Sequence, residues 1–155
     1  MSKIKNVFVS HYHKNDSGVT ELTELLKKKG YSIRNSSIRV KPENAYRLKQ
    51  KQVSDETIKR VLRMKISWAG TTFVLIGPQT HTRNWVDWEI QSAGKKGKRI
   101  IGIYLKGYEN SELPKNLMKY GDGCIEFNAD KIIDALEGKD VGWCNGKPFA
   151  KISRK

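Results

Sequence analysis

The segment Trp85-Val86-Asp87-Trp88-Glu89 sets a carboxylate four residues after an indole. On a helix that spacing brings both side chains to one face, so the carboxylate sits beside an aromatic wall. The plainer account of a helical glutamate is a solvated surface charge. Asp87 is explained as a helix cap, whereas Glu89 has no such duty. A second polar group follows Ser10, where His11, Tyr12, His13 and Lys14 precede a helix whose free N–H groups can hold an anion. A solvated turn explains the same residues, because neither a GxGxxG fingerprint nor a P-loop is present.

Other constellations carry less. His11-x-His13 with His81 has no acidic partner at ligand spacing, so no metal site is expected. Ser10 with a histidine lacks the strand–turn–helix elbow of a hydrolase nucleophile. A phospho-accepting receiver would place carboxylates at the end of the first strand, where this chain has Ser10-His11. Cys124 and Cys144 form no CxxC and read as reduced, structural thiols.

The elements that must position these groups follow from the apolar periodicity. Short β-like runs alternate with helical stretches, the pattern of an α/β domain with a mostly parallel sheet. Residues 5–10 and Tyr31-Ser32-Ile33 read as the first two strands, separated by a helix carrying Val19, Leu22, Leu25 and Leu26 and closed by Gly30. Residues 35–53 have no period and read as a long functional loop expected to cover the cleft or to be mobile. A helix from Ser54 leads into Thr71–Ile76, unbroken enough for a central strand buried on both faces. Asn84 and Asp87 resemble a capping box opening a helix to about Gly94. Residues 100–105, 124–127 and 130–137 read as strand, edge strand and last helix; the tail from Gly138, with Trp143 and Phe149, fits no element. Alternation of this kind predicts strand order 2-1-3-4-5, with Ser10, Gly77 and Glu89 meeting beyond the carboxyl ends of the strands.

The chain has 155 residues, enough for one domain with a core of its own. Its 37% hydrophobic and 30% charged residues indicate a globular chain rather than a disordered one. No window approaches the ~20 apolar residues of a membrane span, and the N-terminus lacks a signal-peptide pattern, so the expected location is the cytoplasm. Residues 1–105 carry 21 basic against 8 acidic side chains, whereas residues 106–155 carry 9 against 8. Such a field attracts phosphate-bearing partners of any size. The cations are dispersed and lack interleaved stacking residues, which argues against a nucleic-acid polymer and for a small ligand.

The strand Val7–Ser10, the pairing of Thr72–Gly77 with Arg83–Ile90, and the run Gly97–Ile103 together resemble the TIR-like domains, and more narrowly the TIR-domain sensors of the bacterial Thoeris anti-phage system. The resemblance covers about residues 5–105 of what reads as a single 1–155 domain. It implies a flavodoxin-like, three-layer α/β fold with a central five-stranded sheet. It also implies cleavage of NAD, as substrate rather than cofactor, at the nicotinamide–ribose bond, with Glu89 as the catalytic residue. The ADP-ribosyl product would become a signalling nucleotide, of cyclic type, that reaches a separate effector. A phage-derived trigger and self-association are implied partners, and a membrane is not. Phe8, Ser10, His11, Tyr12, Trp85 and Asn116 are the expected substrate-binding residues, Asn116 by correspondence to a family asparagine. Lys14, Arg39 or Lys41 would meet the pyrophosphate. Three other readings remain open: a nucleoside deoxyribosyltransferase-like enzyme with Glu89 as nucleophile, a non-enzymatic TIR-type adaptor, and a basic nucleic-acid-binding domain.

Overall fold

A computed structural model describes residues 3–12, 16–35 and 55–144. Strands β1 (Lys3–Ser10), β2 (Tyr31–Asn35), β3 (Thr71–Ile76), β4 (Arg99–Tyr104) and β5 (Gly123–Ile125) form one sheet in the order β2-β1-β3-β4-β5. Every pairing is parallel. The order reverses between β1 and β3, so the two strand ends flanking that point, Ser10 and Ile76, open onto the place where doubly wound sheets hold ligands.

A parallel sheet needs cover on both faces, and two sets of helices supply it. Helices α1 (Asp16–Lys28) and α5 (Ala129–Leu136) pack Val19, Leu22, Leu26, Ile132 and Ala135 onto Val7, Val9, Phe73, Leu75, Ile101 and Ile103. Helices α2 (Asp55–Trp68), α3 (Asn84–Lys95) and α4 (Lys115–Tyr120) cover the opposite face through Leu62, Ile66, Val86, Ile90 and Leu117 against Phe8, Val74, Ile76 and Ile100. The architecture is the three-layer, flavodoxin-like α/β fold expected, with a wholly parallel sheet. All six residues of β3 are buried, as its unbroken apolar run required.

The boundaries differ from the sequence reading in ways that geometry explains. β2 continues past Ile33 to Asn35 because its register along β1 holds to Val7. β4 starts at Arg99 and ends at Tyr104; Leu105 nevertheless donates its N–H to the Ile76 carbonyl. β5 stops at Ile125, short of Phe127, which packs against the α1/α5 side of the core. The segment following α5 acquires a role: Cys124 donates to the Gly142 carbonyl, Cys144 donates back to the Cys124 carbonyl, and Trp143 forms a bridge with Cys124. The edge of β5 is thereby covered. Neither cysteine forms a disulfide, and burial pushes the thiol of Cys124 up to about 12, consistent with a structural role. Phe149 and the long loop read over 35–53, beyond Asn35, lie outside the described residues.

Gly94 shows how closely α3 and α4 approach. A Cβ there would stand 2.4 Å from Cγ and Cδ1 of Tyr120 and 2.8 Å from its Cβ, atoms too near the backbone to swing aside cheaply. Helix propensity alone favours Ala over Gly by about 1 kcal/mol, while overpacking costs ~1–3 kcal/mol. Gly94→Ala is expected to lower the thermal midpoint in the parent and to raise it in a Tyr120→Ala background, as read by thermal denaturation of the four proteins.

Candidate active site

Side chains alternate along β1, so Val7 and Val9 face the α1 layer while Phe8 and Ser10 face α3. On α3 the buried stripe is Val86, Ile90 and Ala93, and Glu89, three residues after Val86, lies on its flank. The two elements therefore converge on one contact: Ser10 Oγ donates to Glu89 Oε1 at 2.6 Å. Ser10 is fully buried. Glu89 is partly buried as a residue, but its carboxyl is withdrawn from water. Burial pushes it from the ordinary 4.5 up to about 8, against the hydrogen bond from Ser10, which favours the charged form. Among the described residues no cation lies in ion-pair contact with it.

The walls of this site come from two turns. Beyond β3, Gly77 donates its N–H to Thr80 Oγ1 at 2.8 Å, and this fully buried hydroxyl organises the 3₁₀ turn Thr80–Thr82 that leads into α3. Beyond β1, the Tyr12 ring lies under the guanidinium of Arg83, whose central carbon is 4.1 Å from the ring centroid. His11 Nδ1 sits 3.2 Å from the Val9 carbonyl oxygen, which it donates to.

The structure redistributes several expected roles. Phe8 is fully buried in the core, so its ring has no free face for a ligand and instead supports the strand beneath Ser10. Trp85 is 41% exposed and meets Trp88 edge to face, with centroids 5.8 Å apart; the indole with core contacts is Trp88, which the sequence did not single out. Asp87 is not a cap. The residue preceding α3 is Arg83, no side chain caps the helix, and the Asp87 carboxylate accepts from Asn116 N at 3.1 Å and Asn116 Nδ2 at 2.8 Å. Asn116 also donates to the Asp87 carbonyl at 3.2 Å, so its amide fastens α4 to α3. Asp87 and Glu89, two residues apart, point to nearly opposite sides of the helix, which separates Asn116 from the Ser10–Glu89 contact. His13, Lys14, Arg39 and Lys41 lie outside the described residues. Arg83 and Thr80 were missed: one is an arginine among 30 lysines and arginines, the other a threonine whose role needs the fold to appear.

Among the described residues no group of three or more His, Cys, Asp or Glu side chains could hold a metal, and no helix is long and apolar enough to cross a membrane. A buried carboxyl with a hydroxyl donor at the end of β1 is suited to hold a sugar's hydroxyls and to stabilise a cation formed on it.

Comparison with known proteins places these residues in context. The family described as Thoeris protein ThsB, TIR-like domain, matches residues 8–110. A Bacillus cereus (strain MSX-D12) protein, ThsB1, whose assigned name is that of a cyclic ADP-D-ribose synthase, is 38% identical over 106 residues, or 63% of this chain and 50% of that protein. The chain thus spans about half the length of that relative. Among solved structures, the Clostridium botulinum CMP N-glycosidase BcmB aligns with a TM-score of 0.49 at 17% identity, over 86% of this chain and 98% of that one. The TIR domains of the activated Roq1 resistosome align at 0.44 and 14%, over 68% and 60%.

The raised Glu89 carboxyl has a consequence for stability. Between pH 4.5 and about 8 the folded state holds a proton that the unfolded state has released, so stability falls as pH rises through that window. The neutral form's contribution is complete below 4.5 and gone above about 8. Glu89→Gln does not titrate. Its thermal midpoint is expected to gain on the parent's steadily across that window and to run parallel to it on either side, in melts of both proteins at matched pH.

Proposed function

The chain belongs to the family of TIR-like domains of the Thoeris protein ThsB, and from that membership we propose that it cleaves NAD at the nicotinamide–ribose bond and turns the ADP-ribosyl part into a small cyclic signalling nucleotide. The name carried by its ThsB1 relative supports that product class. The observation that carries the reading to a particular residue is the 2.6 Å contact between Ser10 and the buried Glu89 carboxyl at the switch point of the sheet.

The chemistry suits a single carboxyl. Neutral glycosides need an acid for the leaving group and a second carboxylate. Nicotinamide in NAD is already cationic and departs as a neutral base, taking the electron pair of the broken bond, so no acid is required. The positive charge that stays on the ribose is what Glu89 would stabilise. Its carboxyl, neutral in the free protein near pH 7, would ionise as the cationic ring arrives, because an opposite charge at short range favours the charged form. Ser10 would hold the charged form in place. When a nucleophilic atom of the same ADP-ribosyl group closes on the ribose carbon, the carboxylate can take the proton it sheds.

The same reading places the chain in anti-phage defence. A phage-derived trigger and self-association would switch the site on, and the nucleotide would carry the signal to a separate effector.

Glu89→Gln keeps shape and loses charge. It is expected to cut NAD loss and nucleotide production in infected cells by on the order of 10²- to 10³-fold at unchanged protein abundance. Production at the parental rate by a folded Gln variant would instead favour a non-enzymatic adaptor. In active preparations, kcat/KM for NAD should fall as pH drops below about 8, where the free carboxyl gains its proton. Ser10→Ala removes a bond that favours the charged form, so it should move that midpoint upward; an unmoved midpoint would detach Ser10 from the chemistry.

A further inference from the structure

Arg83 is the one strong cation placed at this site among the described residues, and its bonding is incomplete. Nη2 donates to Gln79 Oε1 at a long 3.3 Å. Nε is sealed from solvent and has no hydrogen-bond partner among the described residues. A buried N–H left without an acceptor is costly and calls for an explanation. Meanwhile the guanidinium carbon lies 4.1 Å from the centroid of the Tyr12 ring. A ring contact of this kind steadies the group and leaves its exposed Nη edge able to meet phosphate oxygens.

The position along the fold fits. Arg83 immediately precedes α3 and Glu89 lies six residues further on, a rise of about 9 Å at 1.5 Å per residue. Tyr12 follows Ser10 by two residues at the end of β1. The pairs Ser10–Glu89 and Tyr12–Arg83 thus link the end of β1 and the turn after it to α3 and the residue before it, with Ser10 fully buried and Tyr12 and Arg83 half-buried. A ligand with its reacting ribose at Glu89 would carry its first phosphates outward on that scale.

We propose that Arg83 binds the pyrophosphate of the ligand through its exposed Nη edge, and that Tyr12 is a positioning residue that holds the guanidinium. The role of the pyrophosphate in orienting a ribose at Glu89 rests on the NAD reading; anion binding by Arg83 does not. Such a group differs in kind from the many lysines of this chain: its N–H donors are fixed in one plane, and the group is held against a ring.

The test compares binding of ADP-ribose with binding of adenosine, which has the same base and a ribose but no phosphate, to the full chain by titration calorimetry. The parent should prefer ADP-ribose. Arg83→Gln should weaken ADP-ribose by about 10- to 100-fold, as expected for loss of a charge-assisted fork, and leave adenosine unchanged. Tyr12→Leu should reproduce part of that loss and Tyr12→Phe should restore it, because only the ring is needed; a merely structural tyrosine would weaken both ligands alike. Thermal midpoints confirm folding. The proposal is overturned if the parent does not discriminate the ligands, or if Arg83→Gln binds ADP-ribose as the parent does. NAD loss in infected cells separates the two ideas. Discrimination abolished by Arg83→Gln, with the parent sparing NAD as Glu89→Gln does, would remove the NAD reading and keep the anion site. Unchanged ADP-ribose binding by Arg83→Gln, with NAD loss dependent on Glu89, would do the reverse.

Discussion

Burial of a parallel sheet on both faces is the constraint from which the site follows. β3 lies between β1 and β4 with all six residues buried, so groups along its middle have no route to a ligand. Chemistry is confined to the places where strands end and chains turn. Within that limit the alternation of β1 decides which residue faces which layer. Phe8 and Ser10 must point the same way, and the register that sets Ser10 against Val74 brings the hydroxyl to α3. A slip of one residue would present Val9 or His11 there instead. Ser10 and Glu89 are 79 residues apart in sequence, and this pairing of strand parity with a helical stripe is what makes them neighbours.

The same reasoning explains what could be read without coordinates. The β3 run, the helix stripes Val19-Leu22-Leu26 and Leu62-Ile66, and the strand order are local patterns or follow from them, and the structure has them as expected. Glu89 was legible because the sequence offered no other duty for it. Asp87 was misread because Asn84-x-x-Asp87 satisfies the spacing of a capping box, while its real partner, Asn116, is 29 residues away. Phe8 was assigned to a ligand through the family resemblance; the packing of Leu62 and Ile66 with it places the ring in the core. Arg83 had no distinguishing signal at all. Its significance comes from an unmatched N–H and a ring beneath it, and neither property exists in a string of letters.

Net charge is a poor guide for the same reason. The excess of basic residues in the first two thirds of the chain raises the local concentration of any phosphorylated species. Much of it is accounted for locally: Lys27 and Lys28 close α1 where the helix dipole favours cations, and Lys95 does so in α3. Lys98 donates to the Ser67 carbonyl. Attraction over a Debye length and recognition at hydrogen-bond distance are different problems. The first needs many cations anywhere, the second one cation held in a known plane.

The electrostatics of Glu89 tie stability to the proposed chemistry. An ionised carboxylate with no cation in ion-pair contact among the described residues would be costly, and desolvation favours keeping the group protonated up to about pH 8. Under the proposed reaction the charge appears only when a cationic ring supplies its counterpart, so the strongest attraction in the site exists only with the right ligand present. A glycoside with a neutral leaving group would bring no such partner and would meet a carboxylic acid instead of a carboxylate. On that proposal the gain from ionisation would go to the ribosyl cation and its precursor, not to ribosides in general, and selectivity would arise from the desolvation that makes the resting site uncharged.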